Sequence, residues 1–189
     1  MMKYYLFLAA TPLNRELWEE SLSSLIKEPL SFTYESERKG YLIASEKLGV
    51  ILQDCLYNIH EDLGITITVM IAHRDGPLEE KLLREALSYF PNQCLYLTDM
   101  LMRELSFGDY SSFPLLSNEF KNVPHDLLLT AGTYLRCSMN ASDTAASLFI
   151  HRNTFNYRLS AFIAQTGLDI RDYHNALLLE LYFQLGSGK

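Results

Sequence analysis

The stretch from Ser142 to Gly167, SDTAASLFIHRNTFNYRLSAFIAQTG, constrains this chain most, because two helical patterns follow one another with only a tight turn between them. A first short helix is predicted to open at Ser142, whose hydroxyl can accept from free backbone donors, and to run through Thr144, Ala145, Ala146 and Leu148. Its small residues allow another helix to approach closely. Phe149, Ile150 and His151 read as the turn, with Ile150 inward and His151 opening the second helix at Arg152 and Asn153. On that helix Phe155, Leu159, Phe162 and Ile163 stack along one face at 3.6 residues per turn. The opposite face carries Asn153, Asn156, Tyr157 and Ser160, flanked by Arg152 and Arg158.

Such a stripe has two readings. It is a solvated helix face, the ordinary fate of polar stripes, or a face that enters a DNA groove. Its chemistry suits a groove: asparagine can bond an adenine edge in two places, tyrosine and serine reach bases or phosphates, and arginine reaches phosphate or guanine.

The phrase His151-Arg152-Asn153-Thr154-Phe155-Asn156-Tyr157-Arg158-Leu159, preceded by the small pair Ala145-Ala146 and followed by Thr166-Gly167-Leu168-Asp169, resembles the C-terminal helix-turn-helix of the purine-catabolism and sugar-diacid regulators (PucR/CdaR type). The resemblance runs from about Asp126 to Leu185 and includes the lead-in helix with Tyr134 and Leu135. It implies sequence-specific binding of double-stranded DNA through Ser142, Thr144, His151, Arg152, Asn153, Thr154, Asn156, Tyr157, Arg158 and Ser160. The helix from Arg152 to Ala164 would lie in the major groove, with Ser142 and Thr144 on the backbone. One departure is Asn156, which stands where the family often carries a basic residue.

Charge is unevenly distributed. Residues 1–122 hold 11 Lys and Arg against 18 Asp and Glu, a net −7, whereas residues 123–189 hold five of each and are neutral. Non-specific DNA affinity comes mainly from cationic contacts with phosphates, so a neutral reading unit is expected to act as a homodimer that doubles Arg136, Arg152 and Arg158. No apolar run approaches the roughly 20 residues that span a bilayer. Cys55, Cys94 and Cys137 are odd in number and lack a C-x-x-C spacing, so a disulfide framework or zinc site is not expected and a cytoplasmic setting is. The five histidines never fall at i, i+4 with a carboxylate partner, and no metal or cofactor is expected. The pairs Glu19-Glu20, Glu61-Asp62 and Glu79-Glu80 read as solvated helix faces or first-turn charges.

Upstream, KYYLFLAA reads as a strand and LNRELWEESLSSLIKE as an amphipathic helix with Leu17, Trp18, Leu22, Leu25 and Ile26 inward. LSFTYE and GYLIASE form a hairpin, KLGVILQDCLYNIHEDLG a helix stopping at Gly64, ITITVMIA a strand, LEEKLLREALSYF a helix, and QCLYLTD a fifth strand before the short helix MLMREL. This β-α-β-β-α-β-α-β order is the split β-α-β arrangement of ferredoxin-like and nucleotide-cyclase-like domains. It resembles the GGDEF-like domain that precedes the helix-turn-helix in sugar-diacid regulators. In active cyclases the hairpin carries paired glycines and acidic residues, and the first strand ends in a metal-holding carboxylate. Here the hairpin is Glu35-Ser36-Glu37-Arg38-Lys39-Gly40 and the strand ends Ala9-Ala10-Thr11-Pro12, so no enzymatic activity is expected.

The sequence therefore predicts an α+β domain over 1–106, a connector over 107–124 rich in Ser, Pro, Asn and Gly that packs across a surface, and an all-α helix-turn-helix domain over 125–189. Its last helix, DYHNALLLELYFQLG, is apolar nearly all round and needs cover on two sides, the second side being the upstream domain or another subunit. The expected function is that of a DNA-binding transcriptional regulator answering to an unknown small-molecule effector. The alternative is a non-catalytic metabolite-sensing or interaction module whose helix-turn-helix serves packing or dimerisation.

Overall fold

The computed structural model describes residues 2–186, which divide between Gly108 and Asp109 into two compact units. In the first, β1 (Met2–Ala9), α1 (Arg15–Leu25), β2 (Phe32–Tyr34), β3 (Lys39–Ser45), α2 (Glu46–Leu63), β4 (Ile67–Ala72), α3 (Pro77–Tyr89), β5 (Cys94–Tyr96) and α4 (Leu97–Ser106) follow in the expected order. The strands make one sheet, β2-β3-β1-β4-β5. β1 runs antiparallel to both neighbours, pairing Leu6 with Tyr41 of β3 and with Met70 of β4, and β5 adds on parallel, Met70 opposite Leu95. Antiparallel β1 to β4 form the split β-α-β unit.

The period-two pattern of β1 sends Tyr5, Phe7 and Ala9 into a core with Trp18 and Leu22 of α1 and Leu48, Leu52 and Leu56 of α2. β4 is buried at all six positions because it is an inner strand. Gly40 is required by close approach, since a Cβ there would lie 2.3 Å from the carbonyl oxygen of Thr33 on the paired strand. Gly64 ends α2 at φ 65°, its N–H bonding the His60 carbonyl.

Three expectations need correction in this unit. Leu17 is exposed, and the inward stripe of α1 is carried by Trp18 and Leu22 with Leu25 partly buried, followed by the buried Ile26 just past the helix end. The fifth strand is shorter than QCLYLTD, because the Asp99 carboxylate accepts from the Tyr96 N–H at 2.8 Å and starts α4 at Leu97. Of the two readings of the Glu79-Glu80 pair the first-turn charge holds, but the solvated face does not hold for Glu79, which is fully buried in the first turn of α3 with Arg74 Nε 3.9 Å and His73 Nδ1 3.8 Å away. Burial pushes the His73 imidazole down to about 3, helped by the Arg74 and Lys3 charges.

The second unit is helical: α5 (Phe113–Phe120), α6 (His125–Arg136), α7 (Ala141–Ser147), α8 (Arg152–Thr166) and α9 (Tyr173–Leu181), closed by a π-helical turn Tyr182–Gly186. The stretch read as a connector therefore contains an eight-residue helix, with Pro114 in its first turn, where a missing N–H costs nothing, and with Phe113, Leu116 and Phe120 buried. Cover for the apolar C-terminal helix comes from inside this unit. The Phe120 ring lies 4.4 Å from that of Tyr182, and the Phe183 ring edge sits where a Cβ on Gly132 would be. Apolar exposure at this helix thus no longer argues for a second subunit. Among the described residues, no helix is long and apolar enough to cross a membrane.

Candidate nucleic-acid interface

Helices α6, α7 and α8 pack as a three-helix unit, with Tyr134 of α6 against Phe155 of α8 at 5.3 Å between ring centroids. Phe155, Leu159 and Phe162 are buried as their spacing requires, and Ile163 is half-buried.

α7 begins one residue before Ser142. Asn140 is the N-cap, its side-chain oxygen accepting from the N–H groups of Ser142 and Asp143 at 2.9 and 3.2 Å. Asparagine is among the strongest N-caps, a signal present in the sequence ahead of the serine. Ser142 is exposed on the first turn. Thr144 differs from the other nine candidates in being fully buried, with its hydroxyl donating to the Asn140 carbonyl at 2.6 Å, so it packs the unit and has no exposed face.

α8 opens on His151, whose Nδ1 accepts from the Asn153 N–H at 3.2 Å. That bond puts the ring proton on Nε2, leaving an outward donor. Arg152, Asn153, Thr154, Asn156, Tyr157 and Ser160 are exposed, and Tyr157 is 74% so. Asn153, Asn156, Tyr157 and Ser160 fall at i, i+3, i+4 and i+7, one continuous stripe of donors and acceptors. Arg158 stands apart, half-buried with Nε 3.3 Å from the Asp126 carboxylate of α6.

The Thr-Gly-Leu-Asp exit has a mechanical role. Gly167 adopts φ 74° and bonds the Ile163 carbonyl to end α8, Leu168 is buried, and the Asp169 carbonyl accepts from Asn175 Nδ2 of α9. Gln165 Nε2 donates to the Asn122 carbonyl at 2.8 Å, tying the end of α8 to the segment before α6. Sequence reasoning missed Asn140, Gln165 and the side chain of Phe149, which is 96% exposed.

Residues 127–185 match the PucR C-terminal helix-turn-helix domain. The chain is 39% identical over 101 residues to the carbohydrate diacid regulator of Escherichia coli K12, covering 50% of this chain and 26% of that one. It is 25% identical over 147 residues to a leucine-rich protein of Streptococcus dysgalactiae subsp. equisimilis, covering 69% of this chain and 51% of that one. The chain thus matches about half the length, or less, of these relatives. Among solved structures it is similar to a regulator of polyketide synthase expression from Bifidobacterium adolescentis, with a TM-score of 0.46 and 18% identity over 98% of this chain and 80% of that one.

Proposed function

We propose that this chain is a sequence-specific DNA-binding transcriptional regulator of the PucR/CdaR type. The observation that carries it is the exposed stripe Asn153, Asn156, Tyr157 and Ser160 on α8, held outward by the buried Phe155, Leu159 and Phe162 within a matched helix-turn-helix. In this reading α8 enters the major groove. Asn153, Asn156 and Tyr157 stand nearest the base edges, Arg152 neutralises a phosphate, and Ser142 and His151 Nε2–H lie along the backbone. Arg158 contributes less than its charge suggests, because Asp126 already pairs with it. Binding is by a homodimer in the cytoplasm, since one near-neutral reading unit offers few cations to the duplex.

The N-terminal unit is read as a degenerate, non-catalytic GGDEF-like domain, supported by its strand order and by a hairpin closed by a Lys39–Glu35 ion pair at 2.6 Å. A cleft of about 480 Å³ beside that hairpin, flanked by Lys39, Arg84 and Leu83, is the place for a small-molecule effector.

The test is binding to a duplex pool of randomised sequence at several salt concentrations. Arg152→Ala should weaken binding on all sequences and lower the salt slope by about one, whereas Asn153→Ala should relax sequence preference. If both variants select and bind DNA as the parent does, α8 is not the reader.

A further inference from the structure

α7 ends in a Schellman motif: the Ile150 N–H bonds the Ala145 carbonyl at 3.0 Å and the Phe149 N–H bonds the Ala146 carbonyl at 3.1 Å. The residue between cap and exit in that motif must adopt a left-handed conformation, and glycine usually fills it. This chain uses glycine for the same purpose at Gly64 and Gly167, and the small, polar Ser138 after α6, at φ 52°. At the turn leading into α8 it uses Phe149, at φ 55°. A bulky side chain there is strained relative to glycine, so the backbone gains nothing from it. Nor does the core, because the ring is 96% exposed, the highest value among the exposed large apolar residues of the described chain. Folding explains neither the strain nor the exposure, and a surface that is covered in the working complex explains both.

We propose that Phe149 is a DNA-contacting residue, its ring lying on the apolar edge of the duplex, a deoxyribose or a thymine methyl, beside the groove that α8 enters. This rests on the DNA-binding reading of α8. Position supports it: Phe149 precedes Arg152 by three residues and leads into the exposed stripe, and phenylalanine is a recognised apolar partner of the thymine methyl.

The experiment uses the full chain and a short duplex enriched by the parent from a randomised pool. Phe149→Gly removes the ring and relieves the left-handed strain. It should melt at the same temperature as the parent or higher, yet bind the duplex about tenfold more weakly, the loss expected when one large apolar contact disappears. Phe149→Trp reports contact directly, because the single natural tryptophan, Trp18, is fully buried and shielded. Acrylamide quenching of the added indole should fall when duplex is present. A duplex with deoxyuridine for thymine identifies the partner: if the gap between parent and Phe149→Gly closes, the partner is the thymine methyl, and if it persists, the deoxyribose. Unchanged affinity in Phe149→Gly, or unchanged quenching in Phe149→Trp, overturns the inference. If Arg152→Ala still weakens binding in that case, the reading of α8 stands without it. A folded parent that binds no duplex overturns both.

Discussion

Truncation of Phe155 to alanine should unfold the helical unit at concentrations of denaturant the parent tolerates. The ring is 1% exposed and pairs with Tyr134 of α6 at 5.3 Å, so its removal affects the contact that holds α8 to the lead-in helix. Losing a buried phenyl ring from the core costs about 2–3 kcal/mol in transfer free energy. The lost aromatic pair adds about 1 kcal/mol. A cavity that the neighbouring helices only partly collapse into brings the total to about 3–5 kcal/mol. Since small domains hold only about 5–15 kcal/mol, this is a large share of the stability available. The control is Tyr157→Ala, two residues along the same helix, whose ring is 74% exposed and whose loss should cost under about 0.5 kcal/mol. Native-state hydrogen exchange of the α6 and α8 amides reads both variants, and Tyr134, Leu159 and Phe162 amides should lose protection in the first only. If Tyr157→Ala costs more than Phe155→Ala, the two faces of α8 are assigned the wrong way round, and the DNA-reading stripe with them.

Asn140→Ala should cost about 1 kcal/mol of helical-unit stability through loss of the α7 cap, and Ser142→Ala almost nothing; urea denaturation followed by circular dichroism would expose the reverse order. Gly40→Ala should destabilise the first unit by roughly 1–3 kcal/mol, because the added methyl meets the backbone carbonyl of Thr33 and the ring of Phe7. Phe7 packs on Trp18 at 5.7 Å, so tryptophan emission follows the transition, and an unshifted midpoint would show that β2 yields freely. The Asp75 carboxyl is raised from 3.8 to about 6 by burial and by its hydrogen bond with Glu35. The unfolded chain therefore binds fewer protons than the native one in that window, and stability at this site falls as pH rises from about 4 through about 6. Asp75→Asn should remove that part of the pH dependence in Trp18-monitored denaturation, and an unchanged profile would show that Asp75 titrates normally.

Local periodicity carried much of this protein. The 3.6-residue spacing of Phe155, Leu159 and Phe162 was enough to orient α8, and the alternation in β1 was enough to aim Tyr5 and Phe7 at α1 and α2, because each pattern leaves only one face that can be buried. The element order of the first unit was legible for the same reason, helped by Gly64, whose left-handed stop requires no distant partner. What local pattern could not decide depends on residues far apart in the chain. Thr144 looks like a backbone-contacting residue until α6 and α8 pack against α7 and bury it. Arg158 looks like a free cation until α6 brings Asp126 beside it. The segment from Phe113 to Phe120 reads as a connector because its composition is that of turns. It becomes a helix because Phe120 finds the Tyr182 ring some sixty residues later, and that same contact supplies the cover that the apolar C-terminal helix needs. Burial of one side chain by another is a property of the pair, and only the tertiary structure brings the two members together.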